Sequence, residues 1–282
     1  MAISKITTNS ITDDAVTTAK VNPAQTDITS VGTLTSATVS GDLTIDTDTL
    51  KVDASEDTVC INTTATNFDA GADDLIVGDG SGDSGITIYT GSSVGDKGSI
   101  FFADSTVGSS AEKKGQISYE QNNEIMTFFT NDTLAMQIDL NGHVTKPSTP
   151  YFFGGRGAGQ TSGAGFFVSN VSQTNTGSHY NTSNGLFTAP VAGRYYCMFG
   201  NFVSPYNLAS GHHQVSLRVN SSSTKFYYFY HKTSGNEGHT PIHFSDVITL
   251  AANDTVGHYI HGSLTLYGGD WTYATQAFYL LG

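Results

Sequence analysis

Cysteine is nearly absent, with only Cys60 and Cys197 in 282 residues. That scarcity excludes a disulfide framework, and two isolated thiols do not make a structural metal site. Cys197 lies inside an aromatic strand pattern and reads as a buried free thiol. No apolar run approaches the length of a membrane-spanning helix. The opening MAISKITTNS lacks the apolar core and small-residue cleavage site of an export signal, so no signal peptide is expected. Helical periodicity is confined to a turn or two between Asp13 and Lys20. No phosphate-binding loop and no H-E-x-x-H occurs. Lys and Arg number 12 against 25 Asp and Glu, a net charge of −13. Such a chain repels phosphate rather than neutralising it, which argues against a nucleic-acid partner.

What is present is unevenly spread. Residues 1–149 carry 21 acidic and 7 basic side chains, whereas residues 150–282 carry 4 and 5. The aromatics run the other way: 12 of 14 Tyr, 11 of 16 Phe and the lone Trp271 follow residue 149. An aromatic-rich half can bury a core. A half made of Thr, Ser, Asp, Gly and Val is poorly equipped to do so as a single copy.

The acidic half alternates with the period of strands. Val39, Leu43, Ile45, Leu50 and Val52 fall mostly at every second position, and Thr is abundant, as half-buried sheet surfaces prefer. Short strands follow around Leu75–Val77 and Ile86–Tyr89, then in GSIFFADS, GQISYEQNNEIMTFFTN and TLAMQIDLNGHV. Asn122-Asn123 and Asn141-Gly142 mark turns. Each strand is too short and too polar on one side to stand alone, so intertwining with identical copies is expected to supply the missing face. Lys146-Pro-Ser-Thr-Pro150, with two prolines, reads as a linker.

In the second half, strands are expected at Gly165–Val171, Leu186–Ala189, Arg194–Val203, Gln214–Val219, Lys225–His231, Ile242–Leu250, Thr255–Leu266 and Thr272–Leu281. GLFTAPVAGRYY (185–196), Phe167, Asn175-Thr-Gly, Tyr180-Asn181, LAANDTVGHYI and the final TQAFYLLG follow one another in an order that resembles the globular head of the complement component 1q and tumour-necrosis-factor family. The resemblance covers roughly Tyr151 to Gly282 and implies a trimeric jelly roll. LIVGDGSGDSGITIYTGS, GSIFFADS, GQISYEQNNEIMTFFTND and MQIDLNGHV, with the opening MAISKITTNSITDDAVTTAKV, are similar to segments of tail-fibre-like proteins of bacteriophages.

The expected fold is therefore all-β, an elongated trimeric shaft bearing a C-terminal jelly-roll head. Its segments are a virion-attachment region (1–30), an intertwined β shaft (31–146), the linker (147–150) and the head (151–282). The two resemblances imply a homotrimeric fibre, made in the host cytoplasm and carried on the virion. Its N-terminus docks on a tail or baseplate protein, and its head meets a host-surface glycan or outer-membrane receptor. A head-attached or decorating fibre and a depolymerase spike are the alternatives; the first is separated by imaging the particle, the second by polysaccharide release.

If the last strand of a jelly roll returns toward the linker, the loops 204–213, 232–240 and YGGDW gather at the far end. They carry Tyr206, His212, His213, Glu237, His239, Asp270 and Trp271, a polar and aromatic set suited to carbohydrate or polar epitopes. Against this stands the plainer possibility that Trp271 plugs the sandwich end. Seven of nine His lie between His212 and His261, but His258 and His261 are three apart on a strand and face opposite ways. Asp79-Gly-Ser-Gly-Asp83 lacks the closing ligands of a calcium loop and reads as a turn. Tyr227-Tyr-Phe-Tyr230 reads as a strand with one row toward the core and the other toward a trimer partner. No metal or cofactor site is placed. The four head carboxylates, Glu237, Asp246, Asp254 and Asp270, make no evident catalytic pair, and no enzyme activity is expected. Six Asn-x-Ser/Thr sequons (Asn62, Asn131, Asn170, Asn181, Asn220, Asn253) are what chance gives in a chain this rich in Ser and Thr.

Overall fold

The computed structural model describes residues 38–45, 49–65, 68–69, 71–106, 110–157, 163–204, 210–231, 239–262, 264, 266 and 273–282. The expected helix at Asp13–Lys20 and the N-terminal attachment segment lie outside them. The chain divides into two compact units, one ending at Thr87 and one running from Ile88 to Gly282. The boundary falls well before the Lys146–Pro150 turn.

The first unit holds a four-stranded sheet: β1 (Leu43–Ile45), β2 (Leu50–Asp53), β3 (Thr58–Ile61) and β4 (Leu75–Val77), in that order. Neighbours are antiparallel except β3 and β4, which are parallel. Alternation buries Cys60, Thr58 and Ile76 while leaving Leu43, Ile45, Val52, Ile61 and Leu75 exposed. Strand-forming residues are thus present without enough covered area for a core.

The second unit begins with an antiparallel meander of β5 (Lys97–Phe102), β6 (Gly115–Glu120), β7 (Ile125–Thr130), β8 (Thr133–Ile138) and β9 (Val144–Thr145). Asn122-Asn123 and Asn141-Gly142 sit in turns, as their composition predicts. Asn131-Asp132 makes a further two-residue turn, with φ of 50° and 57°, the left-handed pair that matches hairpin twist. Ile100, Phe101 and Phe102 are 50, 52 and 57% exposed. Three consecutive exposed residues mean that both faces of β5 are open.

The remaining strands are β10 (Tyr151–Gly155), β11 (Gly165–Phe166), β12 (Val171–Thr176), β13 (Tyr180–Asn181), β14 (Leu186–Thr188), β15 (Gly193–Val203), β16 (Gly211–Val219), β17 (Ser222–His231), β18 (Thr240–Leu250), β19 (Thr255–Ile260) and β20 (Thr275–Leu280). They form two facing sheets, ordered β12-β10-β20-β15-β18 and β13-β14-β19-β16-β17, with β11 beside β19. From β14 onward the chain changes sheet at every connection but the β16–β17 hairpin. That crossing pattern is a jelly roll. Three expected strands are corrected: Ile86–Tyr89 is not a strand, Gly165–Val171 is β11 followed by irregular chain up to the start of β12 at Val171, and Thr255–Leu266 stops as a strand at Ile260, beyond which Leu266 bridges to Val203. β10 was not expected.

Inward rows from the two sheets make a continuous aromatic core. Phe152, Tyr180, Phe187, Tyr195, Leu217, Leu250 and Phe278 pack at the end near Pro150, and Phe167, Phe199, Val215, Ile260 and Leu264 at the other. Phe152 stacks on Tyr180 at 3.7 Å, and Phe167 meets Phe199 edge-on at 5.1 Å. Cys197 is buried and free, and burial holds its thiol well above the ordinary range. Gly185 has φ of +77°, and a Cβ there would lie 2.4 Å from the Phe167 carbonyl oxygen. Only glycine fits the entry into β14.

Candidate binding surface

The register fixes which ends of the jelly roll meet. Tyr151 pairs with Tyr279 and Gly193 with Leu250, at the end near the linker. Val203 pairs with Thr240 and Gly211 with His231 at the other. His212, His213 and His239 therefore share the far end. His212 and His213 are strand residues of β16, not loop residues. His212 is exposed against Tyr230, with ring centroids 5.2 Å apart, and His213 turns inward toward Phe229 at 5.6 Å. His239 is exposed just before β18. Tyr206, Glu237, Asp270 and Trp271 lie outside the described residues.

The two outer faces differ in chemistry. That of the β12-β10-β20-β15-β18 sheet presents Tyr151, Tyr196, Met198, Phe202, Ala277 and Tyr279. Tyr279 packs against Tyr151 at 5.9 Å and Tyr196 at 5.2 Å, and Phe202 against Tyr273 at 5.9 Å. Among the described strand residues Arg194 is its one formal charge.

The outer face of the second sheet instead alternates rings with hydrogen-bonding groups. Phe226, Tyr228 and Tyr230 are 48, 65 and 55% exposed, while Tyr227 and Phe229 turn inward onto the core. The register sets Ser216, Gln214 and His212 directly opposite those three rings. Ser216 Oγ and His261 Nε2 are hydrogen-bonded at 2.8 Å. Arg218 lies 3.3 Å over the Tyr259 ring, and burial together with that cation lowers the His261 pKa. From the sequence the outward row of F-Y-Y-F-Y is expected to face a trimer partner; the polar residues set across from it follow only from the β16–β17 register.

The plain readings of other motifs fit their geometry. His258 is buried and His261 points outward. Asp79 Oδ1 accepts from the Ser81 amide and hydroxyl at 2.9 Å, closing a turn. Gly91-Ser-Ser-Val-Gly95 has the spacing of a hydrolase nucleophile elbow. Its Ser93 amide donates to Asp96 at 3.0 Å, and strand β5 follows where an elbow requires a helix. The sequon asparagines Asn62, Asn131, Asn220 and Asn253 have positive φ and serve as turn residues.

Tyr227 donates to Asp246 at 3.4 Å, and Lys225 pairs with the same carboxylate at 3.5 Å; burial, then Asp246, raises the Tyr227 pKa. These contacts tie the β17 and β18 edges together. Among the described residues no three His, Cys, Asp or Glu converge to hold a metal ion, and no helix is long and apolar enough to cross a membrane.

No family model and no curated protein matches the sequence. Solved structures similar to it include the globular domain of zebrafish complement 1qA, at 17% identity over 48% of this chain and 98% of that one, with a TM-score of 0.37. Eiger TNF from S. frugiperda is 11% identical over 48% and 94%, with a TM-score of 0.36. Murine APRIL at pH 5.0 is 9% identical over 47% and 99%, with a TM-score of 0.37. These neighbours are domains of the complement 1q and tumour-necrosis-factor kind, and the strand order of the chain itself defines it as a two-sheet jelly roll.

Proposed function

We propose that the protein is a homotrimeric bacteriophage fibre that attaches to the virion through residues 1–30 and binds a host-surface polysaccharide with its jelly roll, without turning it over. The supporting observation is the apolar surface left uncovered by one copy: Ile45, Ile61, Leu75, Ile100, Phe101 and Phe102, each at least 41% exposed, and the nearly uncharged Tyr151–Tyr196–Met198–Tyr279 face. A single soluble chain rarely leaves so much apolar area open. Copies of itself are the partner whose stoichiometry a fibre requires. Weak sites repeated on three copies, and on several fibres, gain avidity through effective concentration. The sequence similarity to phage fibre segments supplies the virion.

Light scattering on the whole chain tests the assembly, with three times 29.8 kDa expected. A single-copy mass overturns the fibre. Competition between the purified trimer and phage adsorption then tests the receptor role; adsorption unaffected by saturating trimer sinks it.

A further inference from the structure

We infer that the outer face of the β13-β14-β19-β16-β17 sheet is a binding site for a neutral, linear polysaccharide, with Phe226, Tyr228 and Tyr230 as its stacking platform and Gln214, His212 and His261 as its polar rail. This locates the glycan contact of the proposed fibre on a sheet face rather than in the distal loops, and it rests on that reading only for its biological setting.

Three features specify the ligand. First, the rings lie in one row along one strand, Phe226 and Tyr228 being stacked at 6.5 Å and 23°. A row of exposed rings on a straight strand fits an extended polymer better than a compact group. Second, two of the rings have an accessible hydrogen-bonding residue directly across the ladder, Tyr228 with Gln214 and Tyr230 with His212, while the Ser216 opposite Phe226 is buried and holds His261 beside it. A sugar offers both matching halves, C–H faces for the rings and hydroxyls for the rail. An apolar protein face satisfies only the first. Third, the charge is nearly nil. Among the described residues of this face Arg218 is the one formal charge, and its guanidinium already lies over Tyr259. Neither a polyanion nor a polycation finds a complementary field here.

The platform is also rigid. Tyrosine and phenylalanine carry two side-chain torsions, so little entropy is lost on contact, and the inward neighbours Tyr227 and Phe229 anchor the strand in the core. The rival occupant is a second copy of the chain, which the sequence reading of Tyr227–Tyr230 anticipates. The polar rail argues for the sugar. The apolar face of the other sheet is the better surface for a copy.

The test is native affinity electrophoresis of the full chain in gels containing dextran, pullulan, a linear β-glucan or, for charge, alginate. At least one neutral polymer is expected to retard the chain, with alginate weaker. Tyr228→Ala should weaken that binding about ten-fold, as loss of an anchoring aromatic does, with solution mass unchanged. Gln214→Ala should weaken it while leaving every ring in place. Retardation by none of the neutral polymers overturns the site. So does a smaller mass for Tyr228→Ala, which assigns the rings to contacts between copies. Binding that survives Tyr228→Ala and Phe226→Ala but is lost in Trp271→Ala overturns the site and leaves polysaccharide recognition by the distal loops standing.

Discussion

His258 Nδ1 donates to the side-chain oxygen of Gln276 at 3.0 Å, with both residues sealed inside the sandwich. The tautomer follows from the other end of the amide. Gln276 Nε2 lies 3.2 Å from the Phe167 carbonyl, an obligate acceptor, so the oxygen must face His258 and the ring must carry its proton on Nδ1. Burial lowers the His258 pKa to about 4 from its ordinary 6.5. Between these values the unfolded chain binds the extra proton and the fold does not. Stability is therefore fully present above pH 6.5 and falls as the pH drops toward 4, by about 3 kcal/mol in all. Urea midpoints between pH 7 and 4.5, at one protomer concentration, should follow this slope in the wild type. His258→Asn keeps a donor but cannot titrate, and should lose most of the slope. An unchanged slope in the variant would place the acid sensitivity elsewhere.

Tyr180 closes the same network. Its hydroxyl accepts from the Ser169 amide at 2.8 Å and from Gln276 Nε2 at 2.6 Å, and burial pushes its pKa up to about 12. Tyr180→Phe keeps the stack on Phe152 but leaves the buried Ser169 amide without its acceptor, while Gln276 Nε2 keeps the Phe167 carbonyl and Ser169 Oγ. The expected cost is about 1–3 kcal/mol, read as a lower denaturant midpoint. A neutral effect would mean that the ring alone matters.

Asn201 is the opposite case. It is 4% exposed on β15, and among the described residues neither its amide nitrogen nor its amide oxygen has a hydrogen-bond partner. Its strand neighbours on the same face are Phe199 and Val203, both fully buried. Replacing such a group by an apolar one of similar size removes an unmet desolvation cost. Asn201→Leu should raise the thermal midpoint, with a gain of about 1–2 kcal/mol. Destabilisation would show that the amide has a role the apolar residue cannot fill.

The strands most legible in the sequence were those with long, one-sided rows. β15 reads as alternate buried and outward positions from Tyr195 to Val203, and β18 likewise from Ile242 to Leu250, so both were placed within two residues of their ends. β10 was hidden because Phe152 is the one large apolar residue it buries in the core, and Gly154-Gly155 after Phe153 resembles a turn. β19 was overextended because Leu264 and Leu266 continue the apolar pattern while being buried beyond the strand's end. Periodicity reports which side chains are covered, not which backbone groups are paired.

The candidate site was less legible for the same reason. Strand direction alone brings Val203 and Thr240, and Gly211 and His231, together at strand ends, and the register pairs them so. That His212 faces Tyr230 depends on the β16–β17 register, which shifts between Leu217 and Arg218. A one-residue slip there would reverse the outward row, and no local residue announces the shift.

The apolar outer face of the β15 sheet makes the last prediction. Met198 lies midway along β15, opposite Ala277 on one side and Ser245 on the other. In a single chain it is half-buried and solvent reaches it, so Met198→Asp there costs little, as surface substitutions usually do. In a trimer that packs this face against a second copy, the same carboxylate is buried without a counter-ion, since Arg194 at the strand's start is the one charge among the face's described strand residues. An unpaired buried charge costs about 3–5 kcal/mol, and the three-fold assembly carries it three times. Light scattering should then give a single-copy mass for Met198→Asp while circular dichroism keeps its β signature. A trimer that tolerates the carboxylate would mean that copies meet elsewhere, leaving the meander's Ile100–Phe102 segment as the next surface to charge.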